Sequence, residues 1–425
     1  MRRRDLLRAM AAVPLAGCFR PGSGGQEETR PPGKLRLVFK HQPLWGDPAA
    51  FRELLAAFER EVGDVEIVAE PLPNASDVVH QFFLTALEGG ARDFDVFIAD
   101  VVWVAELARA GWIADLSRVF PPEELRRELL AGAAEAAIID GKTWAIPWYV
   151  DTGILYRRAD LIPEAPATYE ELERAALGVI RAGAVPHGFV WQGRQYEGLV
   201  CNAYEAIWGH GGDTMRGGRV MLETAEARAA LEYMRGLLVR GVSPPSVTSQ
   251  AEEEARRVFQ EGRAAFMRNW PYAIAEAERE GSPVRGKVAV SPLPTVSGEP
   301  GSGALGGYLL AINARSPAYK REAALRFVKH LTSEAANVEL AVSYARNPPR
   351  RAAYVNPRLV SGAPGIAALL PMVERARPRP VTPYYPMISD VLQSEISAAI
   401  ARVRTPREAL RRAQALVDHL TGARP

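Results

Sequence analysis

Apolar positions between residues 35 and 111 follow two alternating spacings. Short uninterrupted apolar runs, each predicting a buried strand, lie at 35–39, 65–68 and 94–99. Apolar residues three and four apart, each set predicting a helix, lie at 48–62, 76–88 and 101–110. Ser76 or Asn74 could cap the second helix, and Gly111 could end the third. This alternation predicts an α/β layered domain with a largely parallel sheet.

The rest of the chain continues the mixture and then becomes mainly helical. Helical spacing recurs at 169–182, 223–239 and 250–261, and strand-like runs recur at 288–290 and 308–312. From residue 317 onward helices dominate, separated by proline-rich turns at 347–349, 378–386 and 405–406. A chain of 425 residues is long enough for two or three such domains.

The first 18 residues have the organisation of an export signal. A charged start precedes an apolar run over residues 9–17, which is too short to span a bilayer. Arg3 to Arg8 resembles a twin-arginine signal, with general secretion as the alternative. Leu15-Ala16-Gly17-Cys18 resembles the bacterial lipobox. We therefore expect a signal peptide over 1–17, lipidation at Cys18 and a flexible tether over 18–33, which place the protein outside the cytoplasm, in the periplasm or on the cell surface.

Charge and cysteine content exclude several classes of function. Without its first 17 residues the chain has 48 basic and 49 acidic residues, so nucleic acid is not an expected partner. Cys18 and Cys201 are the two cysteines, which excludes a disulfide framework and a cysteine-based zinc site. The six histidines form no metal-binding pair at helical spacing, and we expect neither a metal nor a cofactor.

Motifs for covalent or cofactor chemistry lack their required context. Gly301 to Gly306 matches G-x-G-x-x-G, but prolines precede it and a strand-like run follows, so a crossing loop is the better interpretation. His210-Gly211-Gly212 resembles an esterase motif without the accompanying nucleophile elbow, and indicates a helix that ends in glycine. Cys201 has apolar neighbours, which favours a buried thiol over a nucleophile.

Four segments combine aromatic residues with charged or polar ones at strand ends or in loops. They are 97–100, 146–153, 268–272 and 377–385. In an α/β sheet, ligands bind at such positions. Aromatic rings cover the apolar face of a sugar, while carboxylates and arginine bind its hydroxyl groups. The alternative is that the rings fill the core and the acids are solvated, but four such clusters together favour a binding cleft.

Several segments, in order, resemble the extracellular solute-binding proteins that feed sugar ABC importers. The matching segments are 94–100, 110–116, 140–156, 259–267 and 306–312. Within that family, residues 196–202, 304–307 and 379–385 look like the trehalose/maltose branch. One departure is Tyr308, which stands where that branch often has tryptophan, and the smaller ring could change ligand size or linkage preference.

The resemblance implies a two-lobe periplasmic-binding-protein fold, class II and maltose-binding-protein-like, with three hinge crossings and a helical C-terminal segment. It places the first lobe at 34–149 and 304–347, and the second at 150–303 and 348–425. The ligand-binding residues that it implies are Gln42, Asp77, Asp100, Tyr149, Asp151, Glu197, Trp270, Gly306, Gly307, Tyr308 and Arg379. Gln42 and Asp77 are assigned to loops, Tyr149 and Asp151 to the first hinge, and Trp270 to a stacking platform.

The resulting hypothesis is a membrane-tethered monomer that binds an α-linked disaccharide of the trehalose, maltose or sucrose type and delivers it to an ABC permease, without catalysis. Two alternatives remain. A secreted α-glucoside hydrolase would use two of the carboxylates and would turn its substrate over. A chemoreceptor-type sugar-sensing lipoprotein would act independently of a permease.

Overall fold

The computed structural model describes residues 29–44, 46–73 and 75–423. The expected signal peptide, the lipidation site Cys18 and most of the expected tether lie outside these residues, as does the candidate cap Asn74. Within the described part, no helix has both the length and the apolar character that crossing a bilayer requires.

Two mixed sheets organise the described residues. The strands are β1 (Leu35–His41), β2 (Val65–Pro71), β3 (Val96–Asp100), β4 (Ile138–Ile139), β5 (Lys142–Thr143), β6 (Ile146–Thr152), β7 (Ile154–Arg158), β8 (His187–Val190), β9 (Met215–Arg216), β10 (Arg219–Val220), β11 (Ala264–Asn269), β12 (Val288–Ser291) and β13 (Leu305–Ile312). The first sheet has the order β2-β1-β3-β13-β6 and the second has the order β12-β7-β11-β8. We call the first sheet, with the helices packed on it, the first lobe. The second sheet, with its helices, is the second lobe.

Helices cover both sheets. They are α1 (Pro48–Val62), α2 (Ser76–Glu88), α3 (Val104–Arg109), α4 (Pro122–Glu128), α5 (Ala131–Ala137), α6 (Tyr169–Arg181), α7 (Glu197–Gly209), α8 (Ala225–Val239), α9 (Glu252–Gln260), α10 (Ala273–Glu278), α11 (Ala318–Leu331), α12 (Glu334–Tyr344), α13 (Pro357–Gly362), α14 (Pro364–Ala367), α15 (Leu370–Glu374), α16 (Tyr385–Ile400) and α17 (Pro406–Thr421). Short 3₁₀ turns span Pro245–Ser249 and Arg351–Val355.

Helix α1 illustrates how local residues determine where a helix begins and ends. Asp47 accepts a hydrogen bond from the Ala49 amide and Pro48 occupies the first turn, which together start the helix. Phe51 and Phe58 lie seven residues apart on its buried face. Gly63, with φ of +80°, ends it. The predicted bounds of α1 and α2 are confirmed, as is the α/β class.

Three local predictions were wrong. Ser76 is the first residue of α2, and Ala75 occupies the cap position without a side-chain bond. The segment 146–153, expected at a strand end or in a loop, forms the fully buried strand β6 over Ile146–Thr152. The strand predicted from Tyr308 begins at Leu305, so part of the glycine-rich crossing loop belongs to β13. In both strands tertiary pairing overrides weak local propensity, because neighbouring strands supply the hydrogen bonds.

The chain passes between the lobes three times. β6 of the first sheet leads directly into β7 of the second, and the segment after β12 returns to β13 of the first sheet. After α12, which packs on α1, the chain goes over to α16 and α17, which pack on α7 and α8 of the second lobe. The three crossings place β6, β13 and residues 345–350 side by side between the lobes.

Candidate functional site

A cavity of about 300 Å³ lies where the crossing strands meet the two lobes. Its size is at the lower end of the range of about 300–1,000 Å³ that is usual for small-molecule sites. The residues of the predicted set that line it are Gln42, Asp77, Asp100, Asp151, Glu197, Trp270, Gly306, Gly307, Tyr308 and Arg379. Residues about 340 positions apart in the sequence are thus brought together around one cavity.

Strand β13 is the central element of this cavity. It runs antiparallel to β3 on one side and to β6 on the other. The register pairs Tyr308 with Asp100 and Gly306 with Asp151, so one carboxylate flanks each side of the same strand. Paired residues point to the same face of a sheet, so this register directs both carboxylates toward the cavity.

The two glycines of β13 have different structural requirements. Gly307 has a φ of +111°, and a Cβ there would lie 2.3 Å from the carbonyl oxygen of Tyr149. Only glycine is compatible with that backbone and that approach. Gly306 has ordinary φ, and its added Cβ would lie 3.1 Å from the Trp270 ring. Gly306 therefore allows the indole to approach the strand closely.

Trp270 follows β11 and is held on several sides. Its backbone carbonyl accepts a hydrogen bond of 2.6 Å from the Tyr156 hydroxyl, and its indole N–H donates to Glu252 at 3.3 Å. The guanidinium carbon of Arg268 lies 4.0 Å from the centre of the indole ring. These contacts fix the orientation of the ring at the cavity wall, as a stacking platform requires.

The cation against the Trp270 ring, Arg268, belongs to a buried ion pair. Arg268 Nε donates to Glu205 Oε2 at 2.8 Å, and a second guanidinium nitrogen bonds the other carboxylate oxygen. Arg268 also donates to Gln192 Oε1 at 3.2 Å. Glu205 Oε1 accepts the backbone N–H of Ala304, immediately before β13, at 2.9 Å. This pair connects the second sheet to the crossing strand.

Arg379 connects the loop before α16 to both lobes. It bonds Glu197 at the start of α7 and donates to the carbonyl oxygen of Leu305 at 3.0 Å. Its Nη2 lies 3.6 Å from Oδ1 of Asp100 in the first lobe. Glu197 also accepts a hydrogen bond of 2.6 Å from the Tyr385 hydroxyl. These bonds make Glu197 a residue that orients Arg379 and α16, in addition to lining the cavity.

Burial controls the protonation of the two carboxylates on either side of β13. It raises the pKa of Asp100 to about 6, while the Arg379 cation opposes the rise. It likewise raises the pKa of Asp151 to about 6, opposed by the Arg346 cation and by a hydrogen bond from Asn347. Both groups are therefore mostly ionised at neutral pH and accept hydrogen bonds, but mild acid protonates them.

The structure does not bring Tyr149 to the surface of the cavity. Its hydroxyl donates to Gln42 at 2.9 Å, and the Arg346 guanidinium lies over its ring at 4.6 Å. Tyr308 lies edge-on to Trp103 and packs against Tyr149. It is a buried wall rather than an open platform.

The structure corrects the expectation for Asp77 and supports the one for Cys201. Asp77 lies in the first turn of α2, not in a loop. Cys201 is buried in α7, and burial raises the pKa of its thiol, which supports the structural interpretation. Among the described residues, no cluster of metal-ligating side chains occurs.

Sequence reasoning missed several residues that line the cavity. They are Ala75, Ser76, Arg194, Tyr196, Gly198, Cys201, Ala251, Glu252, Glu253, Glu254, Tyr272 and Arg346. Tyr272 was available from the cluster 268–272, where it stands two residues after Trp270. Arg346 had no such signal, because it stands alone after α12 and reaches the cavity through the third crossing. Acids outnumber arginines in the lining, which disfavours anionic ligands.

Comparison with known proteins gives a consistent result. Residues 42–338 match the family described as bacterial extracellular solute-binding protein. The "Probable ABC transporter-binding protein" of Deinococcus radiodurans is 33% identical over 365 residues, which cover 83% of this chain and 86% of that protein.

Solved structures agree over almost the whole described chain. The maltose-bound T. maritima protein MalE3 is 36% identical, with a TM-score of 0.84, and the match covers 91% of this chain and 100% of that one. The GacH receptor of Streptomyces glaucescens is 21% identical, with a TM-score of 0.81, and covers 92% of this chain and 100% of its own. The two-lobe fold expected from the sequence is thereby confirmed.

Proposed function

Because this chain belongs to the bacterial extracellular solute-binding proteins, we propose that it binds an α-linked disaccharide between its lobes for an ABC-type sugar importer. One observation carries the proposal. A fixed indole, Trp270, shares a cavity with two carboxylates, Asp100 and Asp151, that flank the strand opposite it. An aromatic face and charged acceptors are the groups that recognise the two kinds of surface on a sugar.

The choice of an α-disaccharide rests on two supports. The T. maritima relative, 36% identical, has maltose bound. The segments 196–202, 304–307 and 379–385 of this chain resemble the trehalose/maltose branch. We propose Gln42, Asp77, Asp100, Asp151, Trp270, Tyr308 and Arg379 as residues that touch the sugar, with Gly306 and Gly307 permitting close backbone approach. We propose that Glu197, which also lines the cavity, orients Arg379, and that Tyr149 orients Gln42 without reaching the cavity surface.

Binding would couple to movement of the lobes. We propose boundaries at 149/150, 303/304 and 347/348, so that the sugar contacts both lobes across three crossings. A ligand that touches both lobes binds the closed form more tightly and shifts the population toward it. The closed monomer would then present the sugar to the permease. One aromatic platform and several charge-assisted bonds suffice for micromolar affinity, about −8 kcal/mol.

Calorimetric titration of the purified protein with maltose, trehalose, sucrose and glucose tests this function. A saturable 1:1 heat with one of the disaccharides, followed by recovery of the sugar intact, is the expected result. Cleaved sugar would identify a hydrolase instead. Silence from all four sugars would overturn the α-disaccharide assignment.

Lipid anchoring needs a separate test. We propose that Cys18 carries the lipid and holds the body at a membrane through the tether 18–33. Cys18→Ser should move the exported protein from the membrane fraction to the soluble fraction, as followed by fractionation and immunoblotting. Cys201→Ser is the matched control and should leave the distribution unchanged, since Cys201 is buried in α7. A Cys18→Ser protein that stays with the membrane would contradict anchoring at this residue.

A further inference from the structure

Arg346 lies in the third crossing between the lobes and its backbone is fixed there. Ala345 ends α12 with a φ of +52°, a left-handed conformation that turns the chain toward the cavity. Asn347, which follows Arg346, accepts a hydrogen bond of 3.0 Å at its backbone oxygen from the Val150 amide of β6. The crossing segment is therefore attached to the strand that contains Asp151.

The guanidinium of Arg346 has few bonds for a buried cation. The residue is 5% exposed and lines the cavity, and its Nε has no hydrogen-bond partner among the described residues. Its nearest carboxylate oxygen, on Asp151, is 3.9 Å from Nη1, which is beyond hydrogen-bond length. The contact with the ring of Tyr149, at 4.6 Å, fixes its plane without using its N–H donors.

Asp151 has the complementary deficiency. One carboxylate oxygen is 3.4 Å from the Asn347 side-chain amide and the other is 3.9 Å from Arg346. Its partner in the ladder is Gly306, so no side chain of β13 covers it. A donor group and an acceptor group thus face the same cavity at the same end, and both have unused hydrogen-bonding capacity.

A hydroxyl group both donates and accepts, and it is therefore the chemical group that satisfies both partners at once. We infer that Arg346 is a further ligand-binding, specificity-determining residue, and that Arg346 and Asp151 together hold neighbouring hydroxyl groups of the bound sugar at the hinge. Each hydroxyl donates to the carboxylate of Asp151 and accepts from the guanidinium of Arg346. This inference rests on the proposed function, because it assumes a sugar in this cavity.

A purely structural Arg346, serving only as a hinge contact for Tyr149 and Asp151, is the competing explanation. The first experiment compares Arg346→Gln and Arg346→Lys with the wild type by calorimetric titration. The ligand is whichever of maltose, trehalose, sucrose and glucose the wild type binds most tightly. We expect Arg346→Gln to weaken binding at least tenfold. Arg346→Lys should fall between the two, because lysine keeps the charge and loses the planar fork.

Arg350→Gln is the matched control. Arg350 lies four residues further along the same crossing, bonds Glu128 and is not part of the cavity lining. Its replacement removes an arginine and an ion pair from the same segment, and the affinity for the sugar should change less than about threefold. An equal loss of affinity in Arg350→Gln and Arg346→Gln would assign the effect to the segment and overturn the inference.

Analogues of that sugar, each lacking one hydroxyl group, separate ligand contact from structure. At least one analogue should bind the wild type ten or more times more weakly than the parent sugar, yet bind Arg346→Gln nearly as well as the parent does. If every analogue shows the same ratio in both proteins, Arg346 makes no hydroxyl contact and the inference is wrong. Should Arg346→Gln fail to fold, the same comparison is made with Arg346→Lys.

The two proposals fail in different ways. If the wild type binds none of the four sugars, the proposed function is overturned, together with the inference that rests on it. A wild type that binds, together with an Arg346→Gln variant of unchanged affinity, overturns the inference alone.

Discussion

Two arginine–carboxylate pairs in this molecule differ in what surrounds them. Arg268 is 1% exposed, and it binds Glu205 through two parallel contacts, one of 2.8 Å. Arg346 is 5% exposed, but it lies 3.9 Å from Asp151 and lines a cavity. The first pair is saturated by protein groups, whereas the second retains donors and acceptors for a ligand. We therefore expect the saturation of hydrogen bonds, rather than burial alone, to distinguish structural from ligand-binding charges in this molecule.

The largest expected effect comes from breaking the saturated pair. Glu205→Gln should lower the free energy of unfolding by about 3–5 kcal/mol, because it leaves the Arg268 cation buried without a counter-ion. Chemical denaturation followed by circular dichroism measures this loss.

Glu173→Gln is its control, since the Glu173–Arg240 pair lies at the surface. That replacement should cost no more than about 1 kcal/mol. Equal losses for the two variants would contradict the distinction between the saturated pair and an ordinary surface pair.

Mild acid should act on the two carboxylates that we propose as ligand contacts. Asp100 and Asp151 have pKa values raised to about 6 by burial, and a sugar hydroxyl that donates to them requires the ionised form. Affinity should therefore be constant above pH 7 and fall as pH drops through 6, by about tenfold per required carboxylate between pH 8 and pH 5. Calorimetric titration across this range measures the change.

Asp151→Asn gives the matched comparison for that pH series. Its affinity at pH 8 should be lower than that of the wild type, and its remaining pH dependence should be shallower because one titrating group is gone. A wild-type affinity that does not change with pH would contradict a role for the two carboxylates as acceptors.

Removing the platform should have a smaller effect on binding. Trp270→Ala should weaken sugar affinity about tenfold, since the sugar loses the ring against which its apolar face packs. Trp144→Ala is the control, because Trp144 donates to Ile139 away from the cavity lining. Calorimetric titration of both variants with the sugar measures these affinities. An unchanged affinity in Trp270→Ala would contradict the assignment of Trp270 as a stacking platform.

The smallest effect is expected at Cys201. Although Cys201 contributes to the cavity lining, its thiol is buried and makes one weak contact of 3.8 Å with Glu197. Cys201→Ala should change sugar affinity less than about threefold, and thiol-alkylating reagents should leave the affinity of the wild type unchanged because the Cys201 thiol is buried. A large loss of affinity would indicate a ligand contact that the geometry does not suggest.

Local sequence predicted those parts of the fold and site that depend on local chemistry. Apolar residues at helical spacing over 48–62 predicted α1, and Asp100 stands at a strand end, where ligands bind in α/β sheets. Trp270 was found because aromatic and polar residues cluster beside it. The resemblance to solute-binding proteins, now confirmed, supplied the order in which these segments assemble.

Long-range pairing determined what the sequence could not predict. The ring of Tyr149 is covered by Arg346, a residue 197 positions away, so its removal from the cavity surface depends on the third crossing. The early start of β13 depends on its two neighbouring strands. Such features follow from which segments meet, and a local pattern carries no information about that.

The two glycines of β13 set different limits on how this protein can evolve. At Gly307 any side chain would collide with the Tyr149 carbonyl and require an unfavourable backbone, so we expect drift there to be lethal to the fold. At Gly306 an added methyl group meets the Trp270 ring at 3.1 Å and makes an ordinary contact of 3.6 Å with Asp151 Cβ. A descendant lineage could accept alanine there by tilting the indole. Selection for folding would thus keep Gly307 unchanged, whereas substitution of the adjacent Gly306 could change which sugar the protein binds.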